Sequence, residues 1–170
     1  IVTVSDGTNS STQTITINIT NVNDNSPTIT SGSSFSVSEG QIAIGTVTAT
    51  DADGDTVSYS LSGTDASSMS INSGSGVLTF NSAPDYETKS SYSATVTMSD
   101  GTNLSTQDFT VTVTDIDDTA PTFTSGAIFS GDENQTSIGT VTATDTDTDD
   151  SSIVFSVSGS ELSITSGGVL

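Results

Sequence analysis

The sequence predicts an all-β fold, a seven-stranded Greek-key immunoglobulin-like β-sandwich that occurs in tandem. Short runs of apolar residues alternate with Ser and Thr, which is typical of half-buried strands. Turn residues separate these runs, and no helical period is present. The run GTVTATDAD at residues 45–53 returns as GTVTATDTD at residues 139–147, an offset of 94 residues. A period of this length is a whole domain, so the chain is a section of a tandem array.

The repeat predicts how the chain divides into domains. The offset of 94 residues also aligns Pro27 with Pro121 in two short acidic segments. We therefore expect residues 1–24 to be the C-terminal part of a preceding repeat, residues 25–119 to be a complete repeat, and residues 120–170 to be the N-terminal part of a following repeat. A unit of this size can bury its own core.

Seven strands are expected in the complete repeat, each from period-two alternation. The expected ranges are 35–37 with the stretch before it, 45–50, 56–62, 69–71, 77–80, 92–98 and 109–114. Pro27 is placed at the start of the first strand, where a missing N–H is tolerated. The last two strands are expected to form a hairpin across Asp100 and Gly101, a strong turn dipeptide.

Composition excludes several classes of function. The formal net charge is −20, Lys89 is the only basic residue, and His and Cys are absent. Nucleic acid and anionic membrane surfaces are not expected partners, because both require Lys and Arg. No apolar run approaches the ~20 residues of a membrane helix. Without His or Cys, and with carboxylates that metal binding explains better, we expect no enzymatic activity.

Acidic residues are expected to gather at both ends of each sandwich. One end carries the loops with Glu39, with residues 85–87 and with Asp115, and the other carries the loops with residues 51–53 and Asp100. In a tandem array these two ends meet across the acidic linkers. Six or more oxygen ligands suit Ca²⁺, whereas Mg²⁺ prefers a tight octahedron with water and Zn²⁺ prefers His and Cys. Without a cation, the like charges would push the domains apart.

Five motifs in order carry a family resemblance. They are NVNDNSP at residues 21–27, SEG at residues 38–40, ATDADG at residues 49–54, PDYE at residues 84–87 and SDG at residues 99–101. Together they resemble the cadherin repeat, as found in bacterial-type tandem cadherin domains of surface adhesins and filaments. The resemblance covers essentially the whole chain. The Trp that vertebrate members exchange between adhesive partners has no counterpart, because the chain has no Trp.

The resemblance implies several Ca²⁺ ions at each junction between repeats. At the second junction it implies the ligands Glu39, Asp85, Glu87, Asp115, Asp117, Asp118, the Thr119 carbonyl, Asp145 and Asp147. At the first junction it implies Asn23, Asp24, the Asn25 carbonyl, Asp51, Asp53 and Asp100. Asn21 stands where the second linker has Asp115, so weaker binding is expected at the first junction. Asp55 and Asp149 are expected to be solvated.

The expected function is that of a structural or adhesive module in an extracellular stalk or filament at a cell surface, with Ca²⁺ rigidifying the junctions. The expected partners are neighbouring repeats of the same array or head-to-tail copies of the chain, with an unknown surface ligand as a further possibility. Two alternatives stay open. One is a calcium-independent β-sandwich spacer array, and the other is an adhesin module that binds a glycan or a protein.

Overall fold

The computed structural model describes residues 1–147 and 152–170 of the chain, so the expectation for Asp149 lies outside the described residues. Strands dominate the described part, with one short 3₁₀ helix at Ala66–Ser68. The strands are β1 (Val2–Ser5), β2 (Ser10–Gln13), β3 (Thr28–Ile29), β4 (Ser34–Ser38), β5 (Ala43–Thr46), β6 (Ala49–Thr50), β7 (Ser58–Ser62), β8 (Met69–Ile71), β9 (Val77–Phe80), β10 (Ser91–Ser99), β11 (Leu104–Thr114), β12 (Thr122–Phe123) and β13 (Ala143–Thr144).

The central domain is a two-sheet sandwich, which confirms the predicted fold class. One sheet has the strand order β4-β11-β10-β7, and the other has the order β5-β9-β8, with β3 and β6 forming a separate pair. β4 runs parallel to β11, whereas the other pairs are antiparallel. The expected hairpin is present, because Ser99 pairs with Leu104 across the turn that contains Asp100 and Gly101.

Two of the seven predicted strands are each split in the structure. The first becomes β3 and β4, and the second becomes β5 and β6. β3 and β6 pair with each other, whereas β4 joins the four-stranded sheet and β5 joins the three-stranded sheet. The second strand changes partner at Val47 and Thr48. The Val47 N–H donates to the Gly76 carbonyl at 2.9 Å, and the Thr48 carbonyl accepts from Thr30 N at 2.8 Å. Gly76 has φ +69° and packs against the Val47 carbonyl, so a side chain cannot be accommodated there.

The core follows the period-two pattern of the strands. On β11, Phe109, Val111 and Val113 are buried, whereas the intervening Thr110 and Thr112 face solvent. The buried cluster draws on both sheets and contains Val37, Ile44, Val47, Met69, Leu78, Phe80, Ala94, Val96, Met98, Phe109, Val111 and Val113. Burial of this apolar surface from two facing sheets is the main force that holds the domain together.

The flanking segments reproduce parts of the same architecture. β1 and β2 form an antiparallel hairpin, and β12 pairs with β13. Thr122 pairs with Thr144, 94 residues after the equivalent pair of Thr28 and Thr50. The repetition seen in the sequence is therefore also a repetition of strand pairing. Within the described residues, no helix has the length and apolar character needed to cross a membrane.

The single basic side chain of the protein is an internal anchor. Lys89 Nζ forms an ion pair with Asp65 Oδ1 and lies 4.8 Å from the centroid of the Tyr92 ring. Asp65 is buried, and its Oδ2 accepts a hydrogen bond from Ser93 N at 2.8 Å. The hydrogen bond from Lys89 and the one from the Ser93 N–H lower the pKa of Asp65 below its ordinary value. The pair thus fixes the segment before β10 to the short 3₁₀ helix.

We predict that Asp65→Ala lowers the free energy of unfolding by about 2 kcal/mol, because it leaves the Ser93 N–H without its acceptor and Lys89 without its partner. Chemical denaturation at pH 7 measures the change. Asp132→Ala is the control, because it removes one exposed negative charge elsewhere. A loss for Asp65→Ala below about 0.5 kcal/mol, the range of ordinary surface substitutions, would contradict the role of the pair.

Candidate metal junctions

Glu39 is the buried centre of the second junction. It lies in the turn after β4 and is only 5% exposed. Its Oε2 accepts a hydrogen bond from Tyr86 N at 2.9 Å, and its Oε1 accepts one from Ile116 N at 2.7 Å. One carboxylate therefore joins the PDYE loop to the beginning of the linker. This connection between two chain segments is an addition to the ligand role that the sequence predicts for Glu39.

Three predicted ligands come together at this point. Glu39, Glu87 and Asp115 each place one carboxylate oxygen within 4.8 Å of the other two. Desolvation, followed by the charges of Glu39 and Asp147, raises the pKa of Asp115 above its ordinary value. For Glu87, a hydrogen bond from its own N–H favours the charged form. Desolvation and the charges of Glu39 and Asp147 outweigh it and raise the pKa of Glu87 to about 7. The group therefore carries unrelieved like charge.

The second linker is held to the following segment by Asp147. Its Oδ2 accepts hydrogen bonds from Asp118 N at 2.9 Å and from Thr119 N. Desolvation opposes ionisation of Asp147, but the hydrogen bonds from Thr119 and Asp118 hold its pKa below the ordinary value. Asp147 is thus a charged acceptor that fixes the direction in which the linker leaves the junction.

The first junction contains the same arrangement 94 residues earlier. Asp53 Oδ2 accepts hydrogen bonds from Asp24 N at 3.0 Å and from Asn25 N at 2.8 Å. The hydrogen bonds from the Asn25 backbone and side chain are the main reason that the pKa of Asp53 is lowered. We call this arrangement, one aspartate Oδ2 that accepts from two successive linker N–H groups, the linker clamp. The sequence analysis places Asp53 and Asp147 at the junctions but does not predict the clamp.

Three other predicted ligands of the second junction, Asp85, Asp118 and Thr119, line one cleft, but Asp85 is engaged in local hydrogen bonds. Asp118 and Thr119 line a cleft of about 440 Å³ together with Glu39, Asp85 and Glu87. Asp85 nevertheless uses both carboxylate oxygens locally, because its Oδ1 accepts from Thr88 N at 3.2 Å and its Oδ2 from Thr88 Oγ1 at 2.8 Å.

The two other predicted ligands at this junction lie beside the group and the clamp. Asp145 Oδ1 accepts a hydrogen bond from Asp147 N at 3.1 Å and thereby supports the clamp. Asp117 adds its negative charge to those that raise the pKa of Asp115. Neither residue belongs to the group of carboxylates formed by Glu39, Glu87 and Asp115.

Asp51 provides the sharpest test of whether a cation fits the first junction. Its Oδ1 accepts from Asp53 N at 2.9 Å, whereas its Oδ2 is buried and has no hydrogen-bond partner. Carboxylate oxygens of Asp51, Asp53 and Asp55 lie within 4.8 Å of one another. A buried carboxylate oxygen without a donor is costly unless a cation approaches it, and oxygen is the ligand that Ca²⁺ prefers. The residues present therefore fit Ca²⁺.

Asp55 is the residue that sequence reasoning set aside. It is exposed, as expected for a solvated side chain, yet it belongs to the same group of carboxylates as Asp51 and Asp53. The alternation of Asp at residues 51, 53 and 55 is the signal that could have identified it, because the three carboxylates lie in one short loop.

Side-chain amides complete the first junction. Asn21 Nδ2 donates to the Asp53 carbonyl at 2.8 Å, and Asn25 Nδ2 donates to Asp53 Oδ1 at 2.9 Å. Asn103 Nδ2 donates to Asn23 Oδ1 at 2.8 Å. Asn103 stands outside every predicted ligand set, and its role becomes visible only when the hairpin turn and the linker are brought together.

The pKa of Glu87 predicts a pH dependence of the metal-free protein. Because this pKa is raised from 4.5 to about 7, the folded state binds more protons than the unfolded state between these values. Stability should therefore fall as the pH rises from 4.5 to 7 and then level off. Melting temperatures of chelator-treated protein across this range measure the slope, which Glu87→Gln should reduce. An equal reduction by the exposed control Glu161→Gln would contradict the prediction.

Comparison with known proteins agrees with this architecture. Residues 33–116 match the family model of the cadherin domain. Mouse cadherin-23 EC22-24 is 28% identical, with a TM-score of 0.70, and the match covers 87% of this chain and 54% of that structure. Human protocadherin-24 EC1-2 is 26% identical, with a TM-score of 0.65 and coverage of 76% and 62%. Protocadherin gamma B2 extracellular cadherin domains 3-6 are 25% identical, with a TM-score of 0.68 and coverage of 94% and 46%.

The chain thus spans about three fifths of the protocadherin-24 structure and about half of the cadherin-23 structure. No curated protein sequence matches it closely enough to be counted as a relative. The family model, the solved structures and the sandwich topology agree with the five motifs of the sequence. The central sandwich of this chain, matched over residues 33–116, is therefore a cadherin-like repeat.

Proposed function

We propose that the chain is a structural module of an extracellular stalk or filament, in which Ca²⁺ at the junctions rigidifies tandem cadherin-like domains. In this proposal residues 25–119 are one complete repeat, residues 1–24 end the preceding repeat, and residues 120–170 begin the following one. The functional unit is the junction, because acidic side chains of two neighbouring repeats and their linker meet there. Adhesive contacts with neighbouring repeats or with other copies of the chain would then depend on a fixed angle between domains.

The observation that carries the proposal is the group of Glu39, Glu87 and Asp115 beside Asp147. Three of these residues come from different segments of the complete repeat, and the fourth comes from the next one. Desolvation, together with the charges of Glu39 and Asp147, raises the pKa of Glu87 to about 7 against the hydrogen bond from its own N–H. Negative charge concentrated in this way destabilises the metal-free protein, which is consistent with a cation as the stabilising partner of the site.

Ca²⁺, when bound, would supply the positive charge that this group lacks. The residues that would hold it at the second junction are those the resemblance implies, from Glu39 to Asp147. At the first junction Asp51, with its unpartnered Oδ2, would be joined by Asp53 and Asp100. Asp55 is an additional candidate ligand, since it belongs to the group around Asp51.

An extracellular location is part of the same proposal. One matching structure is described as extracellular cadherin domains of protocadherin gamma B2. The net charge of −20 with a single Lys suits a surface module whose junction carboxylates meet millimolar Ca²⁺. An extracellular module of this kind needs no catalytic residues, and its role is mechanical.

A calcium-independent spacer array is the competing function, and the linker clamp favours it. Asp53 and Asp147 each fix two linker N–H groups without any ion. If these hydrogen bonds alone set the domain angle, the remaining carboxylates would only solvate the surface.

We predict that Ca²⁺ raises the melting temperature of the protein. Ca²⁺ at ~100 times its Kd should stabilise the folded state by about 2.7 kcal/mol for each site, or roughly 10 °C for a domain of this size. Differential scanning calorimetry with and without a chelator measures the shift. Mg²⁺ at the same concentration is the control, because its demand for an octahedral shell suits these loops poorly. An unchanged melting temperature after chelation would favour the spacer array.

Charge removal at the second junction should have opposite effects in the two states. Glu87→Gln and Asp115→Asn should each raise the melting temperature of the metal-free protein at pH 7.5, because they relieve repulsion. The same variants should weaken Ca²⁺ binding by about tenfold or more, because each removes a charged oxygen ligand. Isothermal titration calorimetry measures the affinity. A variant that is stabilised without calcium and binds Ca²⁺ like the original protein would show that the group is not a ligand set.

A further inference from the structure

The side chain of Asn103 lies between the β10–β11 turn and the first linker. Its Nδ2 is 2.8 Å from Asn23 Oδ1, 3.1 Å from the Asn25 carbonyl oxygen and 3.1 Å from Asp100 Oδ2. A carbonyl and an ionised carboxylate only accept hydrogen bonds, so the amide must present its N–H groups to them. All three acceptors are among the oxygens proposed for Ca²⁺ at this junction.

We propose that Asn103 is a positioning residue that locks the first linker onto the complete repeat, and that its amide and a Ca²⁺ ion exclude each other at these three oxygens. The lock itself needs no metal. The exclusion rests on the proposed calcium function. The exclusion follows from electrostatics, because the positive NH₂ group that contacts these oxygens repels a cation that approaches them, and its two N–H groups already use part of their lone pairs.

The side-chain amides of Asn21 and Asn25 also donate hydrogen bonds at this junction. Asn21 and Asn25 donate to the backbone carbonyl and to Oδ1 of Asp53, as described above, and so supply hydrogen-bond donors where a metal site needs only acceptors. In the second linker the equivalent positions hold Asp115 and Thr119, which have no amide side chain. The two linkers therefore differ in their side-chain donors. Amide N–H groups are present in the first, whereas the equivalent positions of the second hold acidic and hydroxyl side chains.

The chain contains a matched control for this proposal. Asn9 is the equivalent of Asn103 one repeat earlier, and its N–H donates to Asp6 Oδ1 at 2.7 Å. Asn103 N donates to Asp100 Oδ1 at 2.6 Å in the same way. Backbone N–H groups thus build both turns, and none of the described contacts of Asn9 reaches a linker. Asn103→Asp and Asn9→Asp keep the side-chain shape and add the same charge, but only the first removes donors from a linker.

The lock is tested by amide hydrogen exchange of the whole chain in the presence of a chelator. The reporters are the N–H groups of Asp24 and Asn25, which donate to Asp53. Asn103→Asp and Asn103→Ala should each accelerate their exchange about tenfold, the effect of losing the net stabilisation of these hydrogen bonds. Asn9→Asp should leave the exchange unchanged. Equal exchange in all variants would overturn the lock, and strand β10 in the same data reports whether each variant is folded.

The exclusion is tested by Ca²⁺ titration with the resonances of residues 23–25 as site-resolved reporters. Removal of a group that competes with the ion should tighten binding at the first junction on the order of tenfold in Asn103→Ala. Unchanged or weaker binding would overturn the exclusion and leave Asn103 an ordinary structural residue. If the original protein shows no response to Ca²⁺ at either junction, the proposed calcium function fails and the exclusion with it. The exchange experiment still decides the lock in that case.

Discussion

The hydrogen bonds from two successive linker N–H groups to one aspartate carboxylate are the constraint that sets the geometry of both junctions. The clamp places Asp24 and Asn25 against Asp53, and it places Asp118 and Thr119 against Asp147. Charged acceptors make hydrogen bonds about twice as strong as neutral ones, so each clamp is a firm point of attachment. The path of each linker past the neighbouring segment follows from where this aspartate lies.

Both junctions bring negatively charged carboxylates together, and the groups that surround these carboxylates differ between the two junctions. At the first junction, hydrogen bonds from the Asn25 backbone and side chain lower the pKa of Asp53. Desolvation opposes ionisation of Asp100, but hydrogen bonds from the Asn103 and Thr102 backbones, with smaller contributions from Asn side chains, keep its pKa low. At the second junction, desolvation and the charges of Glu39 and Asp147 outweigh the hydrogen bond from the Glu87 N–H and raise the pKa of Glu87 to about 7. The two linkers thus differ in the side chains that they present, amides in the first and mostly acids in the second.

Much of the fold could be predicted from the sequence, because alternation, repeats and turn dipeptides are local signals. The hairpin across Asp100 and the core positions Phe109 and Val111 follow directly from period-two spacing. The splitting of the second predicted strand could not be predicted, since it involves a hydrogen bond from Val47 to the distant Gly76. The sequence from Gly45 to Thr50 alternates without interruption, so its pattern does not reveal the change of partner.

The candidate site was predictable as a set of acids but not as a set of contacts. The motifs identify Glu39 and Asp85 equally well, yet Glu39 joins two segments whereas Asp85 serves its own turn. Asn103 escaped prediction because its partners lie about 80 residues away in the chain. Donor and acceptor roles of this kind emerge only after the linker has been placed.

The parallel pairing of β4 with β11 determines how the repeat bears load. In the proposed array, tension would enter this domain before β4 and leave it after β11, at opposite ends of two strands that run in the same direction. The two strands are therefore pulled past each other lengthwise. From Ser34 opposite Thr110 to Ser38 opposite Thr114, their hydrogen bonds share the force together and cannot open one after another. The sheet that carries the outward Ser and Thr side chains would thus also be the tensile element of the proposed filament.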